Sequence, residues 1–314
     1  MQTSDVVPVV VRDRRRLADD IDEFTLARPD GAPLPGWAPG AHIDLLLDDA
    51  TVRQYSLCSD PADTTAYRIA VLREPDGRGG SVRAHALPIG AAVAIRVPRN
   101  HFPLVPALAY VLIAGGVGIT PILTLAAAAR RSGRPWRLIY TGRDESSMAY
   151  ADEAADRFAA TVHCSARDGR LDLGAALADL APGTAVYVCG PAGLIDAAQS
   201  ACAGQRAVDV FAERFVAPDL AVAAGGAPFE VSLAVSGLTF TVDPGESILA
   251  AVEARGVAAV ASCREGTCGT CETEVVSGEV DHRDAVLSPE ERAEGESMMI
   301  CVSRSMSARL VLEL

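Results

Sequence analysis

Residues 262–271 read SCREGTCGTC, and one distant cysteine, Cys301, follows nearer the C-terminus. Four residues separate Cys263 from Cys268, two separate Cys268 from Cys271, and 29 more precede Cys301. This C-x4-C-x2-C…C spacing is typical of a plant-type 2Fe-2S cluster, in which four thiolates hold two irons. The small and polar residues between the cysteines let a loop bend around a cluster and turn backbone N–H groups toward its sulfurs. We therefore predict these four cysteines as cluster ligands.

Two alternatives stay open for the same cysteines, a structural zinc site and disulfides. Zinc sites usually pair two short C-x2-4-C motifs, whereas this set has one run of three cysteines and a lone distant one. Residues 1–11 show no signal-peptide pattern. We therefore expect a cytoplasmic protein, in which thiols stay reduced and disulfides are disfavoured. Both considerations favour the cluster.

Composition limits the class of protein. A length of 314 residues predicts two domains, or three if they are small. No apolar run approaches the ~18 to 20 residues that a membrane helix needs, so we expect no membrane span. The formal charge of −13 argues against nucleic acids and anionic membrane surfaces as partners.

Negative charge is concentrated in the C-terminal segment. Residues 228–314 hold 15 Asp and Glu against six Arg. Such an excess can be a solvated surface, and beside a redox centre it can also steer a basic protein partner. Both interpretations stay open at this point.

Residues 6–104 contain short alternating or apolar runs broken by Gly, Pro and Asp, which predicts an antiparallel β-barrel. Within them the pentapeptide RQYSL puts Arg53 and Tyr55 on one face of a strand and Ser56 on the other. An Arg can clamp a phosphate, a Tyr can cover an aromatic ring, and a Ser can hydrogen-bond a ring nitrogen. The pentapeptide alone is equally compatible with an ordinary strand.

A second motif of this region, RGGS at residues 78–81, precedes a short apolar run at residues 82–87. Free N–H groups and a Ser hydroxyl at the start of a helix would face an anion. An ordinary capped glycine turn would have the same sequence. With Arg53 nearby in the chain, we favour a phosphate.

The pattern changes after Ala109, where an apolar run leads into GGVGITP at residues 115–121. We expect Thr120 to cap the following helix and Pro121 to occupy its first position, an arrangement that binds a phosphate at a helix N-terminus. Further strand-like runs alternate with helical segments, which predicts a doubly wound parallel sheet. The last of these strands ends in Cys189-Gly190-Pro191, so a second loop lies at the strand ends where such sheets bind nucleotides.

A final strand of this region ends in Phe215, the last large residue before an Ala-rich and Gly-rich linker. Its ring either packs in the core or stacks on a planar cofactor. After the linker, residues 229–314 predict a small α+β domain of the size of a ferredoxin.

Taken in order, these segments resemble the phthalate dioxygenase reductase family, which includes vanillate demethylase reductases. The resemblance covers roughly residues 5–314. It rests on the motifs RQYSLCSD, RGGS, PRNHFPL, GGVGITPI, CGP, ERF, SCREGTCGTC, DHRD, LSPEE and ICVSR. It implies a flavin-binding antiparallel barrel (residues 1–105), a nicotinamide-binding α/β domain (106–217), a linker (218–228) and a β-grasp ferredoxin domain (229–314).

The resemblance also implies which residues meet the cofactors. The expected flavin contacts are Arg53, Tyr55, Ser56, Val71, Arg73, Gly80, Ser81, Val82, Thr120 and Phe215. The expected nicotinamide contacts are Gly116, Gly118, Thr141, Arg143, Cys189, Gly190 and Pro191. Family members bind FMN, and this chain has no aromatic-rich insert that would hold the adenine of FAD. Arg143 would favour the 2′-phosphate of NADPH, but Asp144 beside it would repel one, and the family mostly uses NADH.

The implied activity is the transfer of electrons from NADH through FMN and the cluster to a terminal oxygenase. A flavin is required because a nicotinamide gives up a hydride, whereas the cluster accepts one electron at a time. We expect a Rieske-type acceptor that acts on aromatic rings or removes O- or N-methyl groups. The alternatives are a reductase for a haem monooxygenase, or a carrier module without efficient nicotinamide oxidation. No residue is expected to act as a strong acid or base, and the sequence is compatible with a monomer.

Overall fold

The computed structural model describes residues 6–48, 51–77, 79–215 and 227–314. The chain divides into two compact units, Met1–Glu213 and Arg214–Leu314. Arg78 of the RGGS motif and residues 218–226 of the predicted linker lie outside the described residues. Within the described ranges, no helix combines the length and the apolar character needed to cross a membrane.

The first unit begins with six antiparallel strands. They are β1 (Val6–Ala18), β2 (Ile21–Ala27), β3 (His42–Leu46), β4 (Val52–Ser56), β5 (Tyr67–Leu72) and β6 (Ala92–Arg96), with one short helix, α1 (Gly80–His85), between β5 and β6. Their order in the sheet is β4-β3-β6-β1-β2-β5. A bridge between Leu57 and Ile69 joins the two edge strands, so the sheet curls into the predicted barrel.

A parallel sheet follows in the same unit. Its strands are β7 (Ala109–Gly115), β8 (Trp136–Gly142), β9 (Thr161–Cys164), β10 (Thr184–Cys189) and β11 (Val208–Glu213), in the order β11-β10-β7-β8-β9. The helices are α2 (Ile119–Arg131), α3 (Ala151–Phe158), α4 (Ser165–Asp168), α5 (Leu173–Ala176) and α6 (Ala192–Cys202). Helices α2 and α3 contribute to one core and α5 and α6 to the other, so both faces of the sheet are covered. Strand β7 is therefore apolar along most of its length.

The expected helix cap at Thr120 is wrong. Residues Gly116–Gly118 form a 3-10 turn that runs directly into α2, which begins at Ile119 with Gly118 as its N-cap residue. The Thr120 hydroxyl instead donates to the Val117 carbonyl oxygen at 3.0 Å. The tighter turn starts the helix two residues early, because 3-10 turns are common at helix N-termini and the small loop residues permit one here.

The second unit is a mixed sheet with a helix. Its strands are β12 (Phe229–Leu233), β13 (Thr239–Val242), β14 (Glu272–Ser277), β15 (Val280–Asp281), β16 (Ser297–Met299), β17 (Arg304–Ser305) and β18 (Arg309–Leu312), with helices α7 (Ile248–Ala254) and α8 (Pro289–Glu294). The sheet order is β13-β12-β18-β14-β16, and β15 pairs with β17. Among the described strand pairs of this sheet, β12 and β18 are parallel and the other pairs are antiparallel. Helix α7 packs its apolar face into the same core, as in a β-grasp domain.

Candidate functional site

Arg53 of β4 lies directly against the start of α1. A Cβ at Gly80 would lie 2.6 Å from Arg53 Cγ and 2.7 Å from Arg53 Cζ, so a larger residue here would displace the Arg53 side chain from this position. The guanidinium therefore lies over the backbone at the first turn of the helix. A fixed positive charge beside free N–H groups suits a phosphate, as the sequence predicts. The other two residues of this group, Ser81 and Val82, are both in α1, and the Ser81 hydroxyl accepts a hydrogen bond from the Glu74 amide at 3.0 Å.

The predicted contacts at the end of β5 already have partners within the protein. The Val71 carbonyl lies 2.9 Å from His85 Nε2, and the Arg73 amide donates to the Asp20 carbonyl at 2.7 Å. His85 also places Nδ1 3.5 Å from a carboxylate oxygen of Asp22. It therefore joins β5 to α1, two elements that both contain expected flavin contacts.

Tyr55 and Ser56 occupy neighbouring positions on β4 with different environments. Burial raises the pKa of the Tyr55 phenol well above its ordinary value, so the phenol stays neutral at physiological pH. Ser56 is 5% exposed, and its hydroxyl donates to Glu213 Oε2 at 3.5 Å. A strand of the barrel is thereby connected to the last strand of the parallel sheet within the first unit.

Glu213 is a site residue that the sequence prediction missed. It is the last residue of β11, and its Oε2 lies 3.9 Å from the Cys189 thiol. Burial raises the pKa of Glu213 to about 8, against the opposing effect of the Ser56 hydrogen bond. Burial likewise raises the pKa of Cys189 well above its ordinary value. The available signal was the ERF motif, in which a carboxylate stands at the end of a strand whose three preceding residues are apolar.

The two loops predicted to hold the nicotinamide nucleotide lie in contact. A Cβ on Gly118 would lie 2.5 Å from the carbonyl carbon of Cys189 and 2.8 Å from the amide nitrogen of Gly190. A Cβ on Gly115 would meet Pro191 Cδ at 2.9 Å. Both loops therefore approach each other through backbone atoms, at the edge where open parallel sheets bind nucleotides.

Thr141 and Arg143 lie at the same edge of the sheet. Thr141 pairs in register with Gly115 on one side and with His163 on the other. The Arg143 side chain is exposed, and its carbonyl oxygen accepts from the Ala166 amide at 2.9 Å. The structure thus brings together all the predicted nicotinamide residues at one edge of one sheet. Thr120 is buried beside them, whereas Phe215 falls in the second unit and is 40% exposed.

Backbone amides converge on the sulfurs of the cysteine loop. The Glu265 and Thr267 amides donate to Cys263 Sγ at 3.3 and 3.4 Å. The Thr270 amide donates to Cys268 Sγ at 3.4 Å. The loop achieves this through residues with positive φ at Arg264, Gly266 and Gly269. Amides that point at sulfur are what a cluster requires to spread its negative charge.

The four cysteines are buried side by side. None is more than 9% exposed, and hydrogen bonding from Cys268 and Cys301 lowers the pKa of Cys263. Hydrogen bonding from Cys301 likewise lowers the pKa of Cys271. The Ser262 hydroxyl beside them is buried without a hydrogen-bond partner, which fits a donor reserved for a cluster sulfur. Among the described residues, no three His, Cys, Asp or Glu side chains are placed to hold a single metal ion, and the features that fit a cluster are the loop and its amides.

Relatives of this chain extend over its whole length. Residues 232–306 match a family described as a 2Fe-2S iron-sulfur cluster binding domain. The chain is 43% identical over 305 residues to the phenoxybenzoate dioxygenase subunit beta of Ectopseudomonas oleovorans, covering 95% of this chain and 94% of that protein. It is 38% identical over 312 residues to the phthalate dioxygenase reductase of Burkholderia cepacia, covering 97% and 96% of the two chains.

Two solved structures are similar at the level of the fold and the sequence. A phthalate dioxygenase reductase, described as a modular structure for electron transfer from pyridine nucleotides to 2Fe-2S, matches with a TM-score of 0.74 and 37% identity over 100% of this chain and 99% of that one. An intact type IV self-sufficient cytochrome P450 monooxygenase matches with a TM-score of 0.91 and 40% identity over 98% of this chain. The chain corresponds to 41% of the length of that monooxygenase.

Sequence identity near 40% over the full chain indicates the same class of activity as well as the same fold. The protein is an NAD(P)H-dependent flavin iron-sulfur oxidoreductase that transfers electrons to a partner oxygenase. It belongs to the phthalate dioxygenase reductase family. This confirms the predicted family and the predicted fold class, and it supports the predicted flavin, nicotinamide and 2Fe-2S cofactors.

Proposed function

We propose that this chain is the NADH-dependent reductase component of a Rieske-type oxygenase system. The observation that carries the proposal is Glu213, which accepts a hydrogen bond from Ser56 of the barrel and faces Cys189 of the parallel sheet. The strand that would hold the flavin and the loop that would hold the nicotinamide therefore meet at one carboxyl group. We propose residues 1–105, 106–217 and 229–314 as the three domains, with 218–228 as the linker.

The barrel residues would bind and orient FMN. Arg53 supplies the charge for the phosphate, and Gly80, Ser81 and Val82 supply the first turn of α1 beside it. Tyr55 is proposed to cover the ring, and it can do so as a neutral phenol because burial raises its pKa. The remaining proposed flavin contacts are Ser56, Val71, Arg73, Thr120 and Phe215.

FMN would convert a two-electron donor into two one-electron deliveries, which the cluster requires. The residues around the proposed flavin site would keep their protons at physiological pH and position the cofactors. Glu213 keeps its proton up to about pH 8, so it can hold a neutral hydrogen-bonded contact with Ser56 at physiological pH. Burial keeps Cys189 a neutral thiol, which makes it a packing and positioning group for the nicotinamide and not a nucleophile.

The nicotinamide nucleotide is proposed to bind across the two contacting loops. The 3-10 turn at Gly116–Gly118 presents its backbone beside the Cys189-Gly190-Pro191 turn, and the absence of a side chain at Gly118 permits this approach. Thr141 and Arg143 follow at the end of β8. We propose NADH as the donor because Asp144, an exposed neighbour of Arg143, would repel a 2′-phosphate.

Electrons would leave through a cluster held by Cys263, Cys268, Cys271 and Cys301. The amides that face Cys263 and Cys268 would stabilise the negative charge of the reduced cluster. We also propose a cytoplasmic location, because these ligands must be reduced thiolates and a reducing compartment supplies them.

The decisive experiment is anaerobic addition of NADH to the purified protein, followed by absorbance. Rapid bleaching of the flavin band and then of the cluster band is expected. An unchanged flavin band would instead favour the carrier module without nicotinamide oxidation. Extraction of the cofactors, with mass identification of the flavin and an iron count, should give FMN and two irons per chain. FAD, or a single zinc, would contradict the assignment.

A haem monooxygenase is the second candidate acceptor. It is favoured by the similarity of the full chain to part of a cytochrome P450 monooxygenase at a TM-score of 0.91. Reduction of cytochrome c does not separate the two acceptors, because either reductase would perform it. Product formation by a purified Rieske-type oxygenase, compared with a purified P450, at equal concentrations of this chain does separate them. Turnover only with the P450 would overturn the Rieske proposal.

A further inference from the structure

Asp284 is a buried carboxylate behind the cysteine loop. It belongs to the DHRD motif, and its side chain is completely inaccessible to solvent. Its Oδ2 accepts from the Val286 amide at 3.0 Å and from the Leu287 amide at 2.8 Å. Buried charges are rare unless they are paired and hydrogen-bonded, so this group requires an explanation beyond simple folding.

The backbone of Asp284 supports the loop between Cys263 and Cys268. A Cβ on Gly266 would lie 3.0 Å from Asp284 Cα and 2.5 Å from Val302 Cγ2, so the loop rests on this backbone with no space between them. The next amide, that of Ala285, donates to the Gly266 carbonyl at 2.8 Å. Gly266 itself lies between the two amides that point at Cys263 Sγ.

The carboxylate of Asp284 also reaches the segment that carries the fourth cysteine. The Ser303 hydroxyl, two residues after Cys301, donates to Asp284 Oδ1 at 3.4 Å. Ser303 is completely buried and also accepts from the Arg283 amide at 3.1 Å. Asp284 therefore connects both parts of the proposed cluster cradle, the loop through its backbone and the segment of the distant cysteine through its side chain.

Two cationic or titratable side chains face the same carboxylate. Arg292 of α8 lies 3.6 Å from Asp284 Oδ2 and also donates to its carbonyl oxygen at 2.5 Å. His282 places Nδ1 3.7 Å from Asp284 Oδ1. In the described part of the chain, His282 Nδ1 and Arg292 Nε are both buried without a hydrogen-bond partner. The charge of Asp284 is thus offset at a distance and not neutralised by a close bidentate pair.

From this arrangement we propose that Asp284 and Arg292 are positioning residues that set the reduction potential of the cluster. The proposal rests on the assignment of the four cysteines as ligands. Reduction adds one negative charge to the cluster, so a nearby buried carboxylate opposes it and a nearby guanidinium favours it. Asp284 therefore lowers the potential while it holds the loop, and Arg292 limits that lowering.

The test compares three charge variants of the full-length protein with its cofactors bound. Asp284→Asn keeps the shape and an oxygen for the two amides but removes the negative charge. Arg292→Gln removes the positive charge. Asp281→Asn is the matched control, because it makes the same chemical change three residues away, where Asp281 is partly exposed and pairs with Arg283 at 2.6 Å. Cluster midpoint potentials are measured by redox titration, with the paramagnetic resonance spectrum of the reduced protein and the iron content as independent readouts.

The expected result is a shift of opposite sign for the two buried variants. Asp284→Asn should move the midpoint to a more positive potential, Arg292→Gln should move it to a more negative one, and the control should match the wild type. Shifts in the same direction, or none, would overturn the proposal, since a purely structural role would loosen the loop in both variants. If Asp284→Asn loses its cluster, Arg292→Gln decides alone, and loss from both would replace the electrostatic role by a structural one. Absence of iron from the wild type would instead contradict the ligand assignment itself.

Discussion

Cys189 and Glu213 end two adjacent parallel strands, in register, with the thiol 3.9 Å from the carboxyl oxygen. Cys189 is fully buried and Glu213 is half-buried, and loss of solvation raises the pKa of each. Ser56 is the third group of this contact and comes from the barrel. The site therefore concentrates neutral, proton-bearing groups where the two halves of the first unit meet.

The raised pKa of Glu213 predicts a pH-dependent stability. Between the ordinary value of 4.5 and about 8, folded Glu213 keeps a proton that the unfolded chain has released. Stability should therefore fall as the pH rises through this window, by up to about 1.4 kcal/mol per pH unit. Glu213→Gln cannot ionise, so its free energy of unfolding in urea should change less between pH 5 and 8. Glu294→Gln, an exposed carboxyl, is the control, and equal pH dependence in all three proteins would contradict the burial of a protonated Glu213.

Gly118→Ala should separate the two loops proposed to bind the nicotinamide. The new Cβ would meet the Cys189 carbonyl carbon at 2.5 Å, so one loop must move. We expect the KM for NADH to rise roughly tenfold or more, because small displacements at a reacting site are costly. Gly193→Ala is the matched control, since nothing lies within 4 Å of its added methyl group. Similar steady-state kinetics for both variants would place the nucleotide elsewhere.

Arg53→Ala should weaken flavin retention and leave the cluster intact. Loss of a charged hydrogen-bond donor to a phosphate costs about 1.5 to 3 kcal/mol, or roughly ten- to a hundredfold in affinity. The measurement is flavin content after gel filtration, with the cluster absorbance as an internal reference. Arg28→Ala, which breaks an exposed ion pair with Asp30, controls for loss of a surface charge. Normal flavin content in the Arg53 variant would exclude the phosphate assignment.

Cys268→Ser should abolish the visible absorbance of the cluster while NADH still reduces the flavin. The two activities should separate because the cysteine loop lies in the second unit and the flavin residues of the barrel lie in the first. The control is Cys202→Ser, a buried cysteine of α6 outside the loop. Simultaneous loss of flavin reduction and cluster absorbance in the Cys268 variant would refute this modular scheme.

Local patterns predicted most of the elements. Alternating runs predicted the barrel strands, although β1 continues to Ala18, seven residues beyond the predicted run at residues 6–11, and the apolar run before GGVGITP predicted β7. Short pieces without a strong period were not predicted, among them α4, α5, β15 and β17. Thr120 was predicted as the cap because Thr is a frequent capping residue. The prediction was wrong because a 3-10 turn starts the helix before Thr120.

The sequence by itself determined the order of the antiparallel barrel, the parallel sheet and the C-terminal cluster-binding domain, and it predicted the four cysteine ligands, because cluster ligation and nucleotide loops depend on residue spacing over a few positions. Only the tertiary structure decided that Glu213 meets Ser56 and Cys189, and that Asp284 joins the cysteine loop to the Cys301 segment. The contacting residues are 157 positions apart for Ser56 and Glu213, 24 for Cys189 and Glu213, and 19 for Asp284 and Ser303. Burial and charge at such distances in sequence arise from how the sheets pack, and no local pattern encodes them.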